Sequence, residues 1–184
     1  MAALVALLDA NVLIPAAPRD TLLRAADAGL FRVTWSDRIL LEVESNLVEQ
    51  HLASPEAAAT LCRQMRRYFP EALVSGFDNI IDSMTNHEGD RHVLAAAVHA
   101  RVDLIVTEND KDFPASSRAD FGIEVASIDA FLVRLMTLSP DLMLTILREQ
   151  AADLTDPPLS VYDVLANLRR SAPRFVEHVM AVLA

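Results

Sequence analysis

Four carboxylates stand out by where they interrupt the apolar pattern of the chain. Asp9, in LLDANVLIP, ends the apolar run 2–8 and precedes Val12, Leu13 and Ile14. Apolar flanks on both sides give no reason to desolvate a carboxylate unless something pairs with it. Glu42, in WSDRILLEV, lies one turn from Ile39 and Asn46, at the edge of an apolar helix face rather than opposite it. Asp90, in GDRHVLAAAV, aligns with Leu94 and Ala97 and should point from the first turn of its helix toward the apolar side. The segment TENDKDF follows another apolar run and offers Asn109, Asp110 and Asp112 after Thr107. Taken singly, such acids serve as turn formers, helix-dipole partners or solvated helix residues. Converging on one crevice they repel each other, and a set of hard oxygen ligands suits Mg2+ or Mn2+, whose bound water can attack phosphorus.

The elements that must position them follow from periodicity and punctuation. A strand is expected over Leu4–Leu8, then a turn marked by Pro15 and Pro18, with Val12–Ile14 packing that turn. A helix follows from Arg19 to Ala28, ended by Gly29. FRVTW at 31–35 reads as extended. Ser36 is a good N-cap for a helix whose Ile39, Leu40, Val43 and Leu47 recur at helical spacing. Ser54 and Pro55 open another helix, which Pro70 closes and which carries Arg63, Arg66 and Arg67. A helix over Gly89–Arg101, the apolar strand DLIVT at 103–107, and a strand near Glu124–Ala126 with a helix beyond it complete the pattern. Alternating strands and helices predict an α/β fold with three α/β/α layers around a central parallel sheet. Acids at strand ends then fall in the crevice where open parallel sheets bind their ligands.

Past Leu138 strand signals stop. Three helix-like segments, each opened by Ser, Pro or both, suggest a domain over 1–138 and a small helical C-terminal appendage over 139–184. At 184 residues there is room for one such domain with a sizeable core. Every apolar run is broken before membrane-spanning length, and the start lacks a secretory signal, so a cytoplasmic protein with no membrane association is expected. One cysteine, Cys62, leaves no internal disulfide and no multi-cysteine zinc site. The net charge of -10 argues against nucleic acid unless part of it is a metal site. The basic residues are almost all arginine, Lys111 being the one lysine, and arginine grips phosphate bidentately.

At LLDANVLI, WSDRILLEV, GDRHVLAAAV and LIVTENDKDFP the sequence resembles the PIN-domain ribonucleases, especially the VapC-type toxins of bacterial toxin-antitoxin pairs. The resemblance runs over about residues 4–130 in the family's order and spacing. It implies a PIN-like fold and a Mg2+-dependent endoribonuclease (Mn2+ being the alternative) with Asp9, Glu42 and Asp90 as its acidic core. The fourth acidic position falls on Asp112, with Asn109 and Asp110 as competing candidates. Metal would be held by Asp9, Asp90 and Asp112, while Asn11, Thr107 and Ser36 would orient carboxylates or metal-bound water; helix capping alone also explains Ser36. The implied partners are an RNA substrate, a cognate antitoxin and a second copy of the chain in a homodimer. Arg63, Arg66 and Arg67 could hold flanking RNA or simply form a solvated helix face. The helical tail resembles the extension of a subset of longer VapC-like proteins.

Two hydrolase chemistries fit less well. A phosphatase of the haloacid dehalogenase type needs a second Asp two residues after the first, where this chain has Asn11. A zinc site built on HEGDRH would need His87 and His92 on one helix face, but they are five apart with Gly89 between them, and His92 and His99 read as packing or surface residues. A catalytically degenerate PIN fold that only binds RNA or protein stands as the alternative from another class.

Overall fold

The computed structural model describes residues 4–183, so positions 2 and 3 of the opening apolar run lie outside the described residues. Five parallel strands form one sheet: β1 (Val5–Leu8), β2 (Arg32–Ser36), β3 (Leu73–Val74), β4 (Leu104–Val106) and β5 (Glu124–Ala126), in the order β3-β2-β1-β4-β5. β1 is central, with Ala6 opposite Val33 on one side and Leu104 on the other. Its last three residues are fully buried, as are Ile105 and Val106 of β4. Strands covered on both faces by helices require this unbroken apolar character.

The helices are α1 (Ala10–Leu13), α2 (Ala16–Asp27), α3 (Asp37–Glu49), α4 (Pro55–Tyr68), α5 (Arg91–His99), α6 (Ala115–Arg118), α7 (Ile128–Leu138), α8 (Pro140–Asp153), α9 (Val161–Leu168) and α10 (Pro173–Leu183). The first departs from expectation. Val12–Ile14 do not simply pack a turn: Asp9 caps Ala10 and starts a one-turn helix directly from the strand end. α2 begins at Ala16, ahead of the expected Arg19, because Pro18 sits in the first turn, where a missing N–H leaves no hydrogen bond unmade. The expected helix at Gly89 starts at Arg91, after a 3-10 turn over Glu88–Asp90. β3 is a two-residue edge strand that sequence periodicity could not show.

Beyond the sheet, α8 and α9 pack on α2, while α10 packs on α7. Gln150 of α8 is buried against α2, accepting from the Thr21 hydroxyl at 2.8 Å and donating to the Ala17 carbonyl at 3.3 Å. Arg24 bridges Asp20 on its own helix and Asp153 on α8, each at 2.9 Å. Among the described residues, no single helix is long and apolar enough to cross a membrane.

Candidate active site

Strand order puts the site where it is. β1 connects onward to β2 on one side, and its other neighbour β4 connects onward to β5 in the opposite direction. Such a reversal leaves a crevice at the carboxyl ends of the two strands. Asp9 ends β1 and Thr107 ends β4, and the Asp9 N–H donates to the Val106 carbonyl at 3.1 Å, so the strands deliver both residues to one place.

Asp9 is only 3% exposed, and its carboxylate is held by three donors. Oδ1 accepts from the Ala10 N–H at 2.7 Å. Oδ2 accepts from the Thr107 hydroxyl at 2.7 Å and the Asn11 amide at 2.8 Å. Asn11 also donates to Thr107 Oγ1 at 3.0 Å and accepts from the Glu108 N–H at 3.1 Å, so it ties the α1 turn to the end of β4. A carboxylate offers roughly four lone-pair directions. Three are used here, which leaves one for an incoming ligand.

Around this fixed acid the other carboxylates gather from three elements. Burial pushes the Asp9 carboxyl above its ordinary range; Thr107 and Ala10 oppose that, and the charges of Asp90 and Glu42 push it further up. Asp90 is also raised, first by burial and then by Asp112, against the opposing influence of His87 and His92. Its place in the chain explains its availability: Asp90 occupies the N-cap position of α5 yet makes no capping hydrogen bond, so its carboxylate faces other groups. His87 Nδ1 lies 3.4 Å from Asp90 Oδ2, and the His87 N–H donates to the Asp112 carbonyl at 3.1 Å. One ligand atom each from His87, Asp90 and Asp112 falls within 4.8 Å of the others.

Glu42, half-buried on α3, accepts from His92 Nε2 at 2.9 Å and meets Arg38 Nε at 3.6 Å. His92 is 1% exposed, so its Nε2 proton must point at the carboxylate. Its Nδ1 has no partner among the described residues. His92 is thus more than a packing residue, and His87, set aside with the zinc pattern, stands among the acids. Their sequence signal was available only in retrospect: His87 lies three residues before Asp90 and His92 two after it.

The remaining candidates fall into place by geometry. Of the three possibilities after β4, Asp112 is the one beside Asp90; Asn109 and Asp110 are exposed, and the Asn109 N–H donates to Thr107 Oγ1 at 3.1 Å. Ser36 is buried and accepts from the Ile39 N–H at 3.2 Å, which is helix capping. Arg66 pairs with Asp37 at 2.9 Å and Arg63 donates to Thr60 at 2.9 Å. Arg67 is exposed, and among the described residues none of these three arginines bonds to the acid cluster.

A parallel sheet that reverses its winding at β1 and β4, with acids at that point, is the arrangement expected of a PIN domain. The chain belongs to the PIN domain family, whose model matches residues 5–111. The family described as the VapC50 C-terminal domain matches residues 128–181. The chain is similar to "Putative ribonuclease VapC50" of Mycobacterium tuberculosis, 34% identical over 104 residues, which is 56% of this chain and 62% of that protein. No solved structure matches the chain.

Proposed function

We propose that the protein is a divalent-metal-dependent endoribonuclease that hydrolyses RNA phosphodiester bonds, the toxin of a type II toxin-antitoxin pair. The observation that carries this reading is the gathering of Asp9, Glu42, Asp90 and Asp112 at the switch point of a PIN sheet, with two of the carboxyls raised by burial and mutual repulsion. The similarity to a protein named as a ribonuclease supports the choice of RNA.

The donor set fits the cation. Carboxylate oxygens from Asp90 and Asp112 are the hard ligands that Mg2+ and Mn2+ take, the His87 imidazole beside them suits Mn2+ better than Mg2+, and Asp9, outside that close group but under the charge of Asp90, would supply a further carboxylate. A bound cation supplies an activated water and neutralises charge developing on the phosphoryl oxygens. The chain's own part is positional. Asn11 and Thr107 fix the Asp9 carboxylate so that no reorganisation is needed when substrate arrives. His92 occupies Glu42 Oε1 and leaves Oε2 to orient a water or take its proton. In this assignment residues 1–138 form the nuclease and residues 139–184 the extension, with α7 serving both. The partners are an antitoxin and a second copy of the chain, and the compartment is the cytoplasm.

The test is cleavage of total cellular RNA by the purified protein with Mg2+ or Mn2+, against EDTA. Asp9→Asn and Asp90→Asn should each abolish cleavage while the circular dichroism spectrum is retained. Persistent cleavage by both variants, or cleavage by the wild type in EDTA, would refute the reading.

A further inference from the structure

An enzyme of net charge -10 whose site is built of acids must still attract a polyanion, and several of its arginines are already committed. Arg19 donates to the Leu13 and Ile14 carbonyls, Arg118 to those of Phe113 and Ile123. Arg24, Arg66 and Arg134 are paired with carboxylates. The turn between α9 and α10 gathers three uncommitted arginines within six residues, where the others of that kind stand singly. Between Val164 and Val176 the chain carries Arg169, Arg170 and Arg174 and no acid. All three are exposed, and among the described residues none forms an ion pair.

The hydrogen bonds show which end of the molecule this turn occupies. Asn11, bonded to Asp9, accepts from the Glu108 N–H at 3.1 Å. The Glu108 carboxylate accepts from the Ile128 N–H at 2.7 Å, at the start of α7. Asp129, the next residue, accepts from the Phe175 N–H at 2.9 Å in the first turn of α10. A chain of contacts therefore runs from the candidate catalytic acid to the residue after Arg174. α7 and α10 both begin at the carboxyl edge of the sheet, so the arginine-bearing turn lies on the crevice side.

We propose that Arg169, Arg170 and Arg174 form a phosphate-binding rim through which the C-terminal extension holds the RNA strand entering or leaving the crevice. This rests on the nuclease reading. Guanidinium groups match phosphate oxygens bidentately, and the strip places positive charge beside acids that would otherwise repel the backbone. It gives the extension a role in substrate binding rather than in packing alone.

The test compares the wild type, the triple variant Arg169→Ala/Arg170→Ala/Arg174→Ala and the triple Arg→Lys variant, all as full-length protein. Binding of a fluorescent single-stranded RNA is measured across a salt series in the Asp90→Asn background, and cleavage kinetics in the active background. Three lost phosphate contacts should weaken binding about 10-fold or more and make the log-log salt slope less steep by about 2. KM should rise with kcat nearly unchanged, and the lysine variant should recover the salt slope with only part of the affinity. An RNA too short to leave the crevice should be cut equally by all three proteins. Unchanged affinity and salt slope in the alanine variant overturns the proposal, as does equal loss on short and long RNA. So does retained RNA affinity with loss of a co-expressed antitoxin, which would make the turn a protein-docking surface. A wild type that neither binds nor cuts RNA under any divalent cation overturns the functional reading with it, whereas cleavage untouched by the triple substitution removes the rim alone.

Discussion

Replacing Asp90 by asparagine should stabilise the protein in EDTA and leave it less stable than the wild type once a divalent cation is present. The Asp90 side chain is 23% exposed, and its ligand oxygen lies within 4.8 Å of that of Asp112. Two unit charges at that separation repel by about 1 kcal/mol in bulk water and about 3.5 kcal/mol at the effective dielectric of a protein surface. Asp90 lies between those limits and His87 offsets part of the repulsion, so neutralising it should return about 1 kcal/mol. Asparagine keeps the shape, and no capping bond is lost because Asp90 makes none. For a chain of this size the gain corresponds to a rise of roughly 2–4 °C in Tm. Cation at a hundred times its Kd stabilises the wild type by about 2.7 kcal/mol through mass action, and a variant missing one ligand forfeits most of that. The two melting curves should therefore exchange order during a Mg2+ or Mn2+ titration followed by differential scanning fluorimetry near neutral pH. A variant less stable than the wild type in EDTA would refute the repulsion, and one with the same metal-induced shift would refute the ligand assignment.

His92→Leu should lower kcat about 10- to 100-fold by releasing Glu42 Oε1, whereas His92→Gln, which can still donate, should recover part of the loss; equal activity in the two variants would remove the positioning role. Thr107→Val deletes the 2.7 Å bond to Asp9 and leaves a buried carboxylate short of a donor, so it should cost about 1–3 kcal/mol by urea denaturation and push the Asp9 carboxyl further up, moving the acid limb of the rate profile to higher pH. In EDTA the stability contributed by Asp9 and Asp90 should be lost as pH rises from about 4, seen as a difference between the wild type and the Asp→Asn variants: with both raised above their unfolded values, the folded state keeps protons that the unfolded chain has released, and the loss ends once both carboxyls ionise. Saturating metal should flatten that slope, and Tm measured across pH in both conditions checks it.

Much of the site can be read from the sequence because burial and chemistry conflict there. An acid closing an apolar strand, as at Asp9, or leaning to the inner side of a helix, as at Glu42 and Asp90, has no solvation argument behind it, and the structure puts Glu42 and Asp90 within electrostatic reach of Asp9. The serine openings of α3 and α4 were equally legible, since Ser36 and Ser54 each cap through the hydroxyl. What stayed hidden depends on tertiary neighbours. A histidine on an apolar helix face looks the same whether it packs or, like His92, donates its Nε2–H to a carboxylate from another helix. Asp90 looked like a first-turn residue because the 3-10 turn that shifts it to the cap position leaves no periodic trace. The helix directly after Asp9 was obscured because Val12–Ile14 are as apolar as a strand, and β3 is too short to have a period.

The bond between Thr107 and Asp9 spans 98 positions of the chain. At about 5–20 residues per second of synthesis, β1 waits roughly 5–20 s before its neighbour β4 exists. During that interval the growing polypeptide has one edge of its central strand bare and no partner for its first acid. No nascent or prematurely terminated product lacking the segment after residue 103 can assemble the crevice. On the proposed nuclease reading, cleavage of RNA is expected only from products that extend past this segment.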